Sequence, residues 1–485
     1  MYLYGIKNYD DLPMNQHNYD KQHTLNGLVS EYESMSQKGT VVFYEEAVFF
    51  QLIDYYESEQ SLEQAIAVAD LALSQYNFSS GLYCKKAYLL ASKKHNAAAI
   101  EAIEKAEILS PGDSEIRLAK SNLLGLLEEY DTAFAIIEEL KASNAFLDNT
   151  KLAEISYVEG ALYERMHEYD LAFHAWKQAL MLNPNHTEVL SRIWICIEMT
   201  RNFEESIELC NKILDNNPYY SMAWYNLGHA HTYFGNYSEA IHSYEYAFIT
   251  NEKFEWAYRH CAELCMEIQD FKKALDCYEE VLSHIQPDVE ILFKIGQCYY
   301  FLNKTKIAQV FFERSIKLDE INDEVYFYLG KCATLQKNWK DAIYYYKRAI
   351  EIEGKQEEYY AHLANAYAAH NNSEKAFHYF NRAIELAPEQ AFYWVEFASF
   401  LMSVNAMDAA WDILIDAEEY AVGPELTYCK AACLFKMGKR KEGMLFLEEA
   451  ITDDFEMHPI LFKYIPELKT DKKIKAMLKF FEHEN

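Results

Sequence analysis

Apolar and small residues recur along this chain with two nested spacings, one of three or four residues and one of 34. Ala65, Ala99, Ala133, Ala172, Ser206, Ala240, Ala274, Ala308, Ala342, Ala376, Ala410 and Gly443 stand 34 apart, except for one step of 39 and a final step of 33. With each of these taken as position 20 of a unit, position 24 is mostly large and apolar (Ile103, Ile137, Trp176, Tyr244, Phe312, Tyr346, Phe380), and position 27 is mostly small (Ala72, Ala106, Ala179, Ala247, Ala349, Ala383). Steps of four and three keep these residues on one helical face. A first helix is marked by a small residue at position 8 (Gly160, Gly228, Gly296, Gly330, Ala364) and bulk at position 11 (Tyr56, Tyr163, Tyr299, Tyr367). Positions 15 and 16 carry pairs such as Gly235-Asn236, Asn303-Lys304 and Asn371-Asn372, which accept turn or left-handed geometry. Pro111, Pro184, Pro218 and Pro388 fall at position 32, where the second helix should end. The pattern predicts helical hairpins, each unable to bury its apolar face alone and so stacked on its neighbours.

A small residue at 8, an aromatic at 11, Ala at 20, an aromatic at 24, Ala at 27 and Pro at 32 together resemble the tetratricopeptide repeat. The sixth unit matches best, with Trp224, Leu227, Gly228, Ala240, Tyr244 and Ala247. The resemblance covers residues 46–456, in units starting at 46, 80, 114, 153, 187, 221, 255, 289, 323, 357, 391 and 424. It implies an all-α fold, an α-solenoid of about twelve hairpins wound as a right-handed superhelix. The longer step comes from about five extra residues near Leu147 to Leu152. Ile53 and Trp194 at position 8, Cys210 at 24 and Leu140 at 27 depart from the pattern and imply local repacking.

One elongated domain is expected, because units in such arrays contact mainly their neighbours. Array ends need covers. In segment 1–45, residues 1–20 are aperiodic, while Leu25, Leu28, Val29 and Tyr32 have the spacing of a capping helix. In segment 457–485, Ile474, Met477, Leu478 and Phe481 repeat that spacing after a cap at Thr470 or Asp471.

Lys and Arg number 45 against 76 Asp and Glu, a net charge of −31. Nucleic-acid binding needs clustered cations to neutralise phosphates, and no basic stripe runs along the array. No nucleic-acid partner is expected. The acidity either solvates the outer faces or attracts a basic partner. No stretch approaches eighteen apolar residues, and no start resembles a signal peptide, so a cytoplasmic protein without membrane insertion is expected.

Cys196, Cys298, Cys332 and Cys433 all stand at position 10, where the family usually places a small residue, and they are expected to fill core space. The sharpest metal candidate is His260, Cys261 and Cys265, yet both cysteines fall at core-facing positions 7 and 11, so no metal is expected. Nucleophile elbows, phosphate-cradling glycine loops and HExxH are missing, and the ends are too short for a catalytic domain. No enzyme activity and no cofactor are expected.

In arrays of the family resembled here, first helices line a concave groove, with positions 2, 5, 9, 12 and 13 facing it. Those positions hold Met222, Tyr225, His229 and Tyr233 in the sixth unit, and Trp256 and Arg259 in the seventh. In the eighth they hold Phe293, Gln297, Tyr300 and Phe301, and in the ninth Phe327 and Lys331. Aromatic residues and Arg are enriched in interface cores, while the same rings can instead pack on the next repeat. A subclass of the family binds chaperone C-terminal carboxylates through Lys and Asn at set positions over three repeats. Asn226 stands at one such position, but Ser191 and Ile195 precede it where Lys and Asn are needed, so that role is disfavoured. The reading is a non-enzymatic scaffold for a protein or peptide partner. Alternatives are a homo-oligomer built through the array or its C-terminal helix, and a subunit positioning an enzyme in trans.

Overall fold

The computed structural model describes residues 25, 27–35, 43–142, 148–284 and 287–482, and every regular element among them is helical. Residues 1–20 and Leu147 lie outside the described residues. Twelve consecutive helix pairs run from Glu46–Ser58 with Leu62–Gln75 to Pro424–Lys436 with Arg440–Asp453. Eleven of the first helices begin where the 34-residue pattern starts a unit. Repeat 4 differs: its first helix, Asn149–Arg165, has 17 residues, so the extra residues add a turn at its N-terminus, where Asp148 accepts from the Lys151 amide.

Each hairpin turns on one left-handed residue at position 15. Gln60, Lys94, Glu128, His167, Arg201, Gln269, Asn303, Lys337, Asn371 and Asn405 have φ between 57° and 65°, and Gly235 and Gly438 have 71° and 76°. The amide of position 16 then reaches back to the carbonyl of position 11, as in Asn236 to His231 (3.0 Å) and Asn372 to Tyr367 (2.9 Å). This bond closes the first helix and aims the chain into the second.

Within a repeat, position 8 is a seat for the ring at position 24. A Cβ on Gly160 would lie 2.3 Å from Trp176, on Gly228 2.7 Å from Tyr244, on Gly296 2.5 Å from Phe312, and on Gly330 2.4 Å from Tyr346. Two departures from the repeat pattern exchange these sizes. Repeat 5 has Trp194 at position 8 and buried Cys210 at 24, and repeat 1 has Ile53 at position 8 and buried Ala69 at 24. In both repeats the pair still combines one large and one small residue.

The helices form two compact units, Met1–Leu264 and Cys265–Asn485. In the first, Val29 of the helical segment 27–35 is buried with Phe49, Leu52 and Tyr56, and Tyr32 packs against them. In the second, Ile474 of the final helix Lys472–Phe481 is buried with Tyr428, Leu447 and Leu461, while Met477, Leu478 and Phe481 pack on that cluster. The apolar face of the final helix is thus engaged within its own unit.

Candidate functional site

Six of the twelve candidate residues belong to each unit. In the first, Tyr225 at position 5 is only 7% exposed, and its ring contacts His229, Phe254 and His260 at 4.6, 5.0 and 5.5 Å between centroids. Its hydroxyl lies 3.1 Å from His260 Nδ1, an atom also 2.9 Å from the Trp256 carbonyl oxygen. His229 and His260 stand 4.6 Å apart. The rings continue on both sides: Trp194 stacks on His229 at 5.8 Å, and Trp256 stacks on His260 at 6.2 Å. Trp256 is half exposed, as is Tyr233, which stacks on Phe203 at 3.9 Å. Met222 packs on the core of repeats 5 and 6, and Arg259 Nε donates to Glu255 at 2.7 Å.

Trp194, partly exposed, joins this face through its stack on His229. Burial, with His260 close by, pushes the His229 imidazole down to about 3, so it is neutral near pH 7. Its Nε2 is buried without a hydrogen-bond partner among the described residues. Two carboxylates flank the rings. Glu198 and Glu263 both bear on the buried Tyr244 hydroxyl, whose pKa is raised chiefly by burial and further by their charge. Glu198 reaches solvent, yet partial burial raises its own carboxyl. Neither carboxylate has an ion pair among the described residues.

In the second unit, Phe293 (6% exposed) packs against Phe312 and Tyr328, and Phe327 (5%) against Tyr346, Tyr359 and His362. Burial raises the Tyr328 hydroxyl's pKa while the Gln297 side chain opposes that shift, and Tyr300 meets Phe301 and Tyr328 edge-on. Phe301 is exposed and stacks on Phe271 at 4.6 Å. Lys331 Nζ lies 4.9 Å from the Phe327 ring, 5.0 Å from Tyr328 and 5.7 Å from Tyr300, with Glu358 at 4.0 Å. His362, 3.5 Å from Glu358, holds that carboxyl below its ordinary value, with Lys331 adding to the effect.

The candidates therefore divide by position. The position 5 rings Tyr225, Phe293 and Phe327 are packing residues, whereas Tyr233 and Phe301 at position 13 and Trp256 at position 2 reach solvent. The sequence reading omitted Trp194, Glu198 and His362 from the face and met His260 only as a metal candidate. The size exchange between Trp194 and Cys210 was the available signal. Cys261 and Cys265 are buried, and among the described residues no group of three or more His, Cys, Asp and Glu could hold a metal ion. Burial raises the Cys196, Cys298 and Cys332 thiols to about 12.

Two family models, both described as Tetratricopeptide repeat, match the chain, one at residues 323–355 and the other at 80–113, 223–248, 289–322 and 357–390. The chain carries tetratricopeptide repeats, and that repeat supports a protein–protein interaction scaffold. Among solved structures, YrrB, a TPR protein with an unusual peptide-binding site, is 19% identical over 38% of this chain and 95% of its own, with TM-score 0.34. Cut9-Hcn1, an APC/C hetero-tetramer, gives 13% identity over 81% of this chain and 97% of that chain, with TM-score 0.38. Yeast Tom70 gives 14% identity over 87% and 99%, with TM-score 0.34. These likenesses are too distant to carry an argument about function. No helix among the described residues is long and apolar enough to cross a membrane.

Proposed function

We propose that this protein is a non-catalytic scaffold that binds a polypeptide partner on the face of its first helices, with repeats 5–7 of the first unit as a principal contact. The observation that supports this most directly is the continuous row of rings from Trp194 through His229 and His260 to Trp256, which ends in a half-exposed tryptophan. Exposed Trp and Tyr beside a rigid packed base are the composition of binding hot spots. The test is a pull-down from the source cell's lysate with wild type and a Tyr233→Ala/Trp256→Ala variant that melts normally. Loss of specific proteins with the variant supports the reading, and an identical set contradicts it. Tyr225, Phe293 and Phe327 are unsuitable for this purpose, because truncating a buried ring also destabilises the fold.

A further inference from the structure

Repeats 6–7 and 9–10 build the same ring frame from matching positions. Tyr225 and Phe327 stand at position 5, Tyr244 and Tyr346 at 24, and His260 and His362 at position 6 of the following repeat. Thr232 and Thr334 meet the Tyr244 and Tyr346 hydroxyls at 3.3 and 3.0 Å. The filling differs. Position 9 is Lys331 in one frame and His229 in the other, and position 12 of the preceding repeat is Tyr300 in one and Glu198 in the other.

In the second unit the chain's own ammonium group covers the rings, and Glu358 balances it. In the first unit the matching place holds a neutral imidazole, and of the three rings the lysine covers only Phe327 has a ring as its counterpart, Tyr225; Asn226 stands for Tyr328, and for Tyr300 stands Glu198, a carboxylate with no ion pair among the described residues. Among the described residues no cation stands over Trp194 or Trp256, and Arg259 is bonded to Glu255. Tryptophan faces are the strongest aromatic sites for cations. Lys331 thus shows, within the same chain, a cation carried over a cluster of rings from position 9.

We propose that the face of Trp194, His229 and Trp256, edged by Glu198 and Glu263, receives a lysine or arginine side chain from a basic segment of the protein partner. This rests on the partner-binding reading above and adds its chemistry. Rings supply the face, Glu198 and Glu263 the countercharge, and the net charge of −31 draws basic segments in from a distance.

The test is calorimetric titration of the full chain with hexalysine, with hexaglutamate as the control peptide. Glu198→Gln/Glu263→Gln and Trp256→Ala should each weaken hexalysine binding by about fivefold to tenfold. Glu374→Gln/Glu389→Gln, which removes the same charge from exposed sites of the second unit, should stay within about twofold. Equal weakening by the two double variants, or none by the first, overturns the proposal. If Tyr233→Ala/Trp256→Ala loses captured proteins while hexalysine binding ignores Glu198 and Glu263, the cation chemistry fails and the partner face stands. If the capture is unchanged while hexalysine binding weakens as stated, the face accepts cations and the scaffold reading fails there.

Discussion

The ring clusters of repeats 6–7 and 9–10 share one frame and end in opposite electrostatic states. In the second unit, Lys331, Glu358 and His362 form a chain of polar contacts beside Phe327, which is satisfied within the molecule. In the first, His229 is neutral and, among the described residues, its buried Nε2 has no hydrogen-bond partner and Glu198 and Glu263 have no ion pairs. A repeat frame fixed by small residues at position 8 and turns at 15 leaves positions 2, 9 and 12 to vary. Binding chemistry can therefore change from repeat to repeat without altering the fold.

The frame itself should fail alike in both places. Gly228→Val and Gly330→Val drive a branched side chain into Tyr244 and Tyr346, and each should cost about 3 kcal/mol, read from denaturant midpoints. A cost in only one unit breaks the comparison. The exchanged pair in repeat 5 should respond differently. Cys210→Tyr alone should cost about 1–3 kcal/mol by overpacking against Trp194, and Trp194→Gly/Cys210→Tyr should recover most of it. A double variant as unstable as the sum of its single changes would remove the size exchange.

The difference in filling has its own signature in pH. An unfolded histidine takes up its proton near 6.5, whereas folded His229 does so only near 3. Between those values the unfolded state binds more protons, so this residue's contribution to stability is lost as pH falls from about 6.5, at up to about 1.4 kcal/mol per unit. Groups facing it are His260, Tyr225 and Tyr244, with Glu198 and Glu263 bearing on Tyr244 behind them. Comparing wild type with His229→Gln at several pH values isolates the slope, which the variant should flatten. Equal slopes contradict a neutral buried imidazole. The smallest effect concerns the turns. Arg201→Gly in one unit and Lys337→Gly in the other should each stabilise by about 0.5–1 kcal/mol, because both residues hold a left-handed φ that glycine adopts freely.

The repeat register, the turns at position 15 and the helix starts were legible in the sequence, because each rests on local spacing or backbone geometry. The candidate face was legible only in part. Position 5 rings looked like groove residues, but a ring at that position is long enough to reach the following repeat. Tyr225 reaches Phe254 and His260, Phe293 reaches Tyr328, and Phe327 reaches Tyr359 and His362. Such contacts depend on how far one hairpin is rotated against the next, which no single repeat's pattern records. Trp194 looked like a departure needing repacking, and its place in the ring row followed only from its stack on His229.

The most direct test of the contrast between an open and a filled frame is the stoichiometry of hexalysine binding by calorimetry in wild type, His229→Lys and Lys331→Ala. Wild type should bind one equivalent at the strong site. A lysine at position 229 should supply the first unit with its own cation and abolish that site, and Lys331→Ala should open the second frame and add another. The same stoichiometry in all three proteins would contradict the account.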